Sequence, residues 1–438
     1  MRRIVSIVFL AAVVMGCGRD RYLPAGPLAA PSIRFEHAIY LPPSAQASPL
    51  IVEQLLRRHS ELQRVDKLAD KVERMTIAVH VENDVRKDFP PPDPHLLKYV
   101  GHGLTAAHVE SLQKSTQAIV LAFAHPQKDV WRSLRHATEL AAEVARATGG
   151  LILDVETREV FTPEEWERRR LAEWTDEIPE VTGHTTIHIY QHGELARAVT
   201  LGMAKFGLPD IVMDDFPWSI QRPVGNTINL LSQALAEGTL LGRGGTLDLD
   251  IRRIRNASLR DANLTTLEKN GTGVAHLLII DGDRDDGDPD NRLIEVAFDA
   301  YEGNDFHAKR EAMLDALFGS TDETTFVDHD DAVLAASRKA RENLPALRTA
   351  FNAGLAPGEL ILVKAPFPTD DGRNEWMWVE VSRWEGNSIR GILQNDPSVI
   401  RNLHAGQMVE VKESELFDYI RRQPDGSQEG NTTSAFLK

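Results

Sequence analysis

The chain has 438 residues, of which 42% are hydrophobic and 26% charged, and its formal net charge is −16. This length predicts more than one domain, and the composition is typical of globular rather than disordered proteins. The acidic surface argues against a nucleic-acid partner, because it repels phosphate backbones. Cys17 is the single cysteine, so the chain can form no internal disulfide bond.

The first sixteen residues have the organisation of an export signal. Arg2 and Arg3 precede an apolar run from Ile4 to Met15 that is interrupted only by Ser6. This run is too short to span a bilayer, which needs about 20 residues, but it suits the core of a signal peptide. We therefore predict a signal peptide at residues 1–16.

Cys17 ends the stretch Val14-Met15-Gly16-Cys17, which resembles the lipobox of bacterial lipoproteins. The resemblance implies a Cys17 that carries acyl chains such as palmitate, and two chains suffice for stable membrane anchoring. It also implies an exported protein of the bacterial cell envelope, facing the periplasm or the exterior. Residues 17–32 are rich in glycine, proline and alanine, and predict a tether between the lipid and a folded domain.

Residues 33–320 alternate short β-branched runs with helical patterns, which predicts an α/β domain of a layered sheet and packed helices. The continuous apolar run at 116–126 predicts a strand buried on both faces. An amphipathic helix follows, with Asp129 as its predicted N-cap and glycine at its end. The segment 151–161 predicts a hairpin, and 185–207 predicts a strand followed by a helix.

The acidic segment 321–331, TDETTFVDHDD, predicts a linker. Beyond it, a helical pattern restarted at Pro345 precedes four strand patterns, which predicts a smaller α+β module at residues 332–438. The fold class predicted for the chain is therefore α/β (α+β). A larger domain of layered sheet and helices comes first, and a smaller α+β module follows it.

The residues of this module resemble the bacterial family catalogued as domain of unknown function 2314, the YegJ-like proteins. The resemblance rests on the helix AASRKARENLPAL, the strands WMWVEV and SIRGIL, and the stretch GQMVEV. It continues through Asn395-Asp396-Pro397, Asp418-Tyr419 and Gly430-Asn431-Thr432. It implies a compact α+β fold and carries over no catalytic residues, because the family has none established.

The stretch DGDRDDGDPDNR at 281–292 contains six aspartates. Asp281, Asp283 and Asp285 match the first three ligand positions of an EF-hand loop, but Asp286 replaces its glycine and Arg292 its bidentate glutamate. Strand-like runs on both sides favour a solvated hairpin loop. A weak calcium site at the three aspartates stays as the alternative, and no other cofactor is predicted.

Two further groups of side chains invite functional hypotheses. His184, His188 and His192 have the four-residue spacing of a zinc site on a helix, but TTIHIY reads as a strand, where this spacing spans about 13 Å. In the strand EWMWVEVSRW, alternation places three tryptophans on the face opposite the aliphatic core, where they form either a binding surface or a face covered by the helix at 331–350. These tryptophans are Trp376, Trp378 and Trp384.

The sequence thus favours a non-catalytic binding or interaction protein with a partner in the cell envelope. The alternatives are a hydrolase with a site between the two domains, which would need Asp214, Asp215 and a histidine to converge, and a calcium-stabilised structural protein.

Overall fold

A computed structural model describes residues 21–434, except residues 173, 175–176, 320–330, 357 and 370–371. The predicted signal peptide, Cys17 and nearly all of the predicted acidic linker lie outside the described residues. Asp331, at the end of that linker, is already the first residue of a helix. Among the described residues, no helix is long and apolar enough to cross a membrane.

The first sheet has seven strands in the order β2-β3-β5-β1-β6-β7-β4. Its elements, in chain order, are β1 (Ser32–Tyr40), α1 (Pro49–Leu55), β2 (Gln63–Val65), β3 (Thr76–Glu82), α2 (Val85–Asp88), α3 (Leu97–Val100), β4 (Gly101–His102), α4 (Ala106–Lys114), β5 (Ala118–Pro126), α5 (Val130–Thr148), β6 (Leu151–Asp154), β7 (Glu159–Phe161) and α6 (Pro163–Arg170). The pairs β2–β3 and β4–β7 are parallel, and the others antiparallel.

The second sheet has six strands in the order β11-β12-β13-β10-β9-β8. Its elements are β8 (Thr186–His192), β9 (Leu195–Leu201), β10 (Asp210–Phe216), α7 (Gln221–Ala236), β11 (Thr246–Asp250), α8 (Ala257–Thr265), β12 (Val274–Asp281), β13 (Leu293–Ala297) and α9 (Phe306–Phe318). Short 3₁₀ turns join several of these elements, among them Met203–Phe206 and Trp218–Ile220. We call residues 21–319, with these two sheets, the body.

The third sheet has the order β17-β16-β15-β14-β18-β19 and belongs to the C-terminal module, residues 331–434. Its elements are α10 (Asp331–Glu342), α11 (Leu344–Ala353), β14 (Leu360–Pro368), β15 (Asn374–Glu385), β16 (Ser388–Leu393), β17 (Met408–Lys412), β18 (Asp418–Arg422) and β19 (Gln428–Gly430). Pro345 lies in the first turn of α11, so the predicted restart of the helix at this proline is confirmed. The three mixed or antiparallel sheets confirm the predicted α+β class.

One hydrophobic core joins the two sheets of the body. Phe35 and Leu121 of the first sheet share it with Ile211 and Leu277 of the second. The strand β5 is buried along both faces, as its apolar run predicted. The module has a separate core, in which α10 and α11 cover one face of the third sheet.

The helix α5 has the predicted apolar face and ends at Gly149, whose φ of 66° is the left-handed conformation that glycine adopts most easily. Asp129 precedes its first residue, but the side chain makes no capping hydrogen bond and pairs with Arg132 instead. The capping role predicted for Asp129 is therefore wrong.

The helix predicted within residues 193–206 is also wrong. Leu195–Leu201 forms a strand that pairs with β8 through a two-residue turn at Gly193-Glu194. Gly193 has a φ of 61°, which suits the first central position of a tight hairpin turn. Only the short 3₁₀ turn Met203–Phe206 is helical here.

The segment predicted as a tether is not free where the structure describes it. Arg21 donates hydrogen bonds to the carbonyl of Asp281 and to Glu295, while Tyr22 and Gly26 form bridges with Ile280 and Leu241. Residues 21–26 therefore lie against the second sheet, because backbone groups there and the half-buried carboxylate of Glu295 satisfy their polar groups.

Candidate functional site

The C-terminal module contacts the body next to the hairpin β8–β9, and two adjoining hollows lie along this contact. One, of about 340 Å³, is mainly apolar and is lined from the body by Ile189, Tyr190 and Trp218, and from the module by Phe351 and Leu355. The other, of about 380 Å³, includes the titratable side chains of His192, Asp215 and His307. Glu194 and Leu195 line both hollows, so we treat the two as one groove.

The floor of the groove is fixed by a buried carboxylate. Glu380 on β15 is 5% exposed, and it accepts hydrogen bonds from the backbone N–H groups of Trp218 at 2.6 Å and Ser219 at 2.9 Å. Burial raises the pKa of Glu380, and these donors oppose the shift. The first N–H groups of the 3₁₀ turn Trp218–Ile220 thus bind the module to the body.

Further contacts surround this link. Trp218 of the body packs with Trp378 of the module against the cluster of Leu360, Leu362 and Ile420. Ion pairs also cross the boundary, among them Arg390 with Glu194 at 3.4 Å, Arg383 with Glu194 at 3.8 Å, and His404 with Asp305 at 3.4 Å.

The second hollow brings histidine and carboxylate together. His192 Nδ1 lies 3.6 Å from Asp215, and its Nε2 lies 3.4 Å from Asp285. Asp215 has a φ of 53° at a bulge between β9 and β10, an uncommon conformation for a residue other than glycine. Burial lowers the pKa of His307, which lines the same hollow. The strained Asp215 therefore presents its side chain beside a histidine at the boundary of body and module.

Asp214, the other aspartate considered in the sequence, is hydrogen-bonded to an arginine. Its carboxylate accepts hydrogen bonds from Arg197 at 2.7 and 2.5 Å. Burial raises the pKa of Asp214, and Arg197 opposes the shift. Asp215 and a histidine therefore meet, whereas Asp214 is engaged by an arginine.

The aspartate stretch is a loop between the antiparallel strands β12 and β13, which confirms the predicted hairpin. It is not a freely solvated loop, however. Asp288 is buried, and Arg197 Nη2 donates to it at 2.6 Å while Tyr190 Oη donates at 3.0 Å. The expectation that its charges all lie in water is therefore wrong, because the buried Arg197 needs a buried counterion.

The three aspartates of the calcium hypothesis do not come together. Asp283 is 86% exposed and pairs with Arg21, and Asp285 lies between His192 and Arg197. Asp281, Asp283 and Asp285 form no group of ligand atoms within 4.8 Å of one another. Calcium stabilisation stays a prediction that a thermal-denaturation midpoint, compared in millimolar calcium and in chelator, tests.

The predicted tryptophan face is altered by a bulge. The register of β15 against β16 shifts between Val381 and Arg383, which turns Trp384 into the core of the module with Met377 and Val381. Placing Trp384 with the other two tryptophans is therefore wrong, and it is 2% exposed. The helices cover the aliphatic face of β15, not the opposite face.

Trp376 and Trp378 stay on that opposite face. The ring of Trp376 lies 4.6 Å from that of Phe417, and Lys364 Nζ lies 5.7 Å from the ring of Trp378. Since Trp378 also packs near Trp218, it helps join the module to the body.

The three histidines lie in or beside a strand, as predicted, and have three different surroundings. His188 and His192 belong to β8, while His184 precedes it and is buried. Near His184 lies a group of buried charges that sequence reasoning missed: Asp154, Arg170, Lys205 and His37. Only their positions near strand and helix ends could have pointed to them.

Two other places could hold ligands. A cavity of about 410 Å³ is lined by Arg168, Arg169 and Arg170, but these pair with Glu165, Glu159 or Asp154. Among the described residues, His59, His136 and Glu139 form the one group of histidine and carboxylate ligand atoms close enough to hold a metal ion.

The residues that carry the family resemblance make hydrogen bonds between the strands of the module and its C-terminal end. Asp418 is buried and accepts hydrogen bonds from the N–H and hydroxyl of Thr433, both at 2.7 Å. Asn431 N–H donates to the carbonyl of Tyr419, and Asn395 accepts from the N–H of Trp378. These contacts hold the strands and the C-terminal end of the module together.

Comparison with known proteins supports the family resemblance, and it does so for the C-terminal module alone. Residues 330–438 match the family model described as "Uncharacterized protein conserved in bacteria (DUF2314)". The chain is also 31% identical over 75 residues to the Uncharacterized protein YegJ of Escherichia coli (strain K12). These 75 residues are 17% of this chain and 48% of that protein. The chain thus spans about half the length of this curated relative, and no solved structure matches.

Proposed function

We propose that this chain is a non-catalytic binding protein of the bacterial cell envelope that captures an extended peptide segment of a partner protein in the groove between body and module. The observation that carries the proposal is the apolar hollow beside the edge strand β8. Its volume of about 340 Å³ is sufficient for one or two large apolar side chains.

The strand β8 supports an extended ligand. It is the terminal strand of the second sheet, and its ladder is made with β9 alone. An edge strand offers unpaired N–H and C=O groups to a peptide that adds to the sheet, and adjacent pockets then select its side chains. Ile189 and Tyr190 belong to this strand and also line the hollow, so backbone pairing and side-chain recognition coincide.

Site-specific photo-cross-linking in the intact envelope tests the proposal. A photoreactive residue at Gln191 or Ala356, both exposed at the rim, should capture the same partner segment. The matched control is Leu240, which is 60% exposed and lies outside the groove lining. A synthetic peptide of the captured segment should then bind the purified full-length protein.

Substitution in the hollow gives the deciding measurement. Leu355→Asp places a charge in the apolar lining and should weaken binding of that peptide at least about tenfold, whereas Leu240→Asp should leave it unchanged. Equal cross-linking at Leu240, or a peptide affinity unaffected by Leu355→Asp, would show that the groove is not the binding site.

A hydrolase is the second candidate, favoured by His192 beside the strained Asp215. A histidine held by a carboxylate can act as a general base on a water molecule. His192→Ala and Asp215→Asn should then abolish hydrolysis of chromogenic esters, phosphates or glycosides by the purified protein. Absence of turnover in the unsubstituted protein across these substrates would remove this candidate.

We also propose membrane attachment through acyl chains on Cys17. Arg21 lies on the second sheet, and the four residue steps from Cys17 reach at most about 14 Å, so the body would lie close to the lipid headgroups. Cys17→Ser should release the protein from membranes and prevent incorporation of labelled acyl chains. A variant that still incorporates them, or that stays membrane-bound at high salt, would refute the anchor.

A further inference from the structure

We propose that His59, His136 and Glu139 form a binding site for a divalent transition-metal ion of the zinc class. The site lies on helices that pack against the first sheet, apart from the groove. His136 and Glu139 are one turn apart on α5, and His59 follows α1, which packs against α5. The inference is independent of the proposed binding function.

The three ligand atoms lie close to the separations that such an ion requires. His59 Nδ1 and His136 Nδ1 are 3.1 Å apart, and Glu139 Oε2 lies 4.0 Å from the first and 3.9 Å from the second. A triangle with these sides has a point about 2.2 Å from each corner, whereas zinc holds nitrogen and oxygen ligands at about 2.0–2.2 Å. That point lies in the plane of the three atoms, and a tetrahedral ion out of this plane needs ligand separations of about 3.3–3.4 Å. Glu139 would therefore move by about 0.7 Å on binding, and a fourth position would stay open to solvent.

The opposite nitrogens of both rings face carboxylates. His59 Nε2 lies 3.6 Å from Glu143, and His136 Nε2 lies 3.9 Å from Glu61. A histidine that binds metal through one nitrogen carries its proton on the other, and a carboxylate there fixes the ring and raises its basicity. Each imidazole is therefore oriented with Nδ1 toward its two co-ligands and Nε2 toward an acid.

Burial favours a ligand at this site over a simple histidine pair. His59 is 4% exposed, and its Nε2 has no hydrogen-bond partner, as is also true of Glu143 Oε2. A single hydrogen bond between the two Nδ1 atoms leaves these outer atoms unsatisfied, and a buried polar atom without a partner is unfavourable. Metal binding would fix the proton on Nε2 and draw it toward Glu143.

The charges around the site are balanced and leave the ion accessible. Arg58 lies 3.8 Å from Glu143, Arg132 lies 3.2 Å from Glu61, and Arg135 lies 3.3 Å from Glu139. Three carboxylates thus face three guanidinium groups, and the ion would share Glu139 with Arg135. The side chains of His136 and Glu139 are 24% and 36% exposed, so an ion can enter from solvent.

Burial and then the neighbouring His59 lower the pKa of His136, which favours the neutral form of its imidazole. The neutral ring is the form that binds metal. The sequence contained one clue, the His-x-x-Glu spacing of residues 136–139 in a predicted helix, but its third ligand is 77 residues away from His136.

Zinc titration of the full-length protein against a chromophoric chelator tests the site. We expect one ion per chain, with affinity at least about 100-fold weaker in His136→Ala and in Glu139→Gln. Glu143→Gln, which removes the carboxylate facing His59, should weaken binding about 10–100-fold. His95→Ala, at an exposed histidine elsewhere on the surface, should have no effect.

Cobalt substitution provides a second readout. Co²⁺ bound to two imidazoles and a carboxylate should give visible absorption bands that are lost in His136→Ala. The test uses His136 because His59 is buried, and a His59→Ala variant that failed to fold would give no information. Absence of stoichiometric zinc binding, or affinity and spectrum unchanged in His136→Ala and Glu139→Gln, would overturn the proposal. Peptide capture by the groove should persist in these variants, so the two proposals fail separately.

Discussion

At the residue scale, the feature whose burial is most unfavourable without mutual pairing is a set of charged side chains in the body. Lys205 donates a hydrogen bond to Asp154 at 2.5 Å, Arg170 Nη2 lies 3.0 Å from the same carboxylate, and all three side chains are nearly inaccessible to solvent. Burial alone would raise the pKa of Asp154, but the two cations outweigh it and hold the pKa well below its ordinary value. Burial lowers the pKa of Lys205 to about 8. Removing one member would leave uncompensated charge, which costs about 3–5 kcal/mol.

His37 beside this group gives a pH-dependent prediction. Burial lowers its pKa to about 3, with Asp154 opposing and Lys205 and Arg170 reinforcing the shift. Between about pH 6.5 and 3 the unfolded chain therefore binds one more proton at this residue, so stability falls as the pH falls. His37→Phe, which keeps the ring contacts with Phe123 and Trp166, should remove this dependence.

From pH 7.5 to 5.0, the free energy of unfolding should fall about 2 kcal/mol further in the unsubstituted protein than in His37→Phe, as measured by urea titration followed by circular dichroism. His95→Ala should leave the slope unchanged. Equal slopes in the protein and in His37→Phe would show that His37 is not buried in its neutral form.

At the element scale, sequence patterns placed the strands well and misjudged the irregular places between them. The aspartate loop was predicted as a hairpin connection, but nothing local shows that Arg197, on another strand, is buried between Asp214 and Asp288. Likewise, strand alternation predicts the faces of β15 only as far as the bulge after Val381. Both features depend on neighbouring strands.

Arg197→Met should destabilise the body by about 3–5 kcal/mol, because it leaves the buried Asp288 without its cation. The matched change Asp283→Asn, at a side chain that is 86% exposed, should stay within about 0.5 kcal/mol. Chemical denaturation measures both. Similar small effects would mean that the loop is held without the arginine.

A glycine in the family-like motif gives a prediction for the module. Gly430 has a φ of 92°, and a Cβ atom there would lie 2.2 Å from the carbonyl oxygen of Tyr419. Gly426 has a similar φ of 85° but open space around it. Gly426→Ala should cost about 1–2 kcal/mol through its backbone alone, and Gly430→Ala should cost clearly more. Thermal denaturation compares the two, and equal midpoints would contradict the close approach.

At the scale of the whole molecule, a few polar contacts join the body and the module. Glu380 reaches across to two backbone N–H groups, and an aromatic contact of Trp218 and Trp378 lies beside it. Because the groove is formed by residues from both sides, its shape depends on this link. Binding at the groove and coupling between the two parts should therefore change together.

Glu380→Ala should uncouple the module from the body, since it leaves the N–H groups of Trp218 and Ser219 without their acceptor, at a cost of about 1.5–3 kcal/mol. We expect separated calorimetric transitions and a larger radius of gyration by small-angle scattering. Glu375→Ala is the control, because Glu375 lies on the same strand but accepts from Ser398 within the module. Glu375→Ala should lower the transition temperature of the module and leave the radius of gyration unchanged. An unchanged radius of gyration for Glu380→Ala as well would show that Glu380 does not join the module to the body.

The sequence by itself determined the α+β class, most strands, the restart of the helix at Pro345 and the family resemblance of the module. These follow from local periodicity, turn chemistry and short motifs, which act over a few residues. Only the tertiary structure decided the β8–β9 hairpin, the burial of Trp384, the link through Glu380 and the meeting of His59 with His136. Each of these joins residues on different elements, and local pattern carries no information on which elements will pack together.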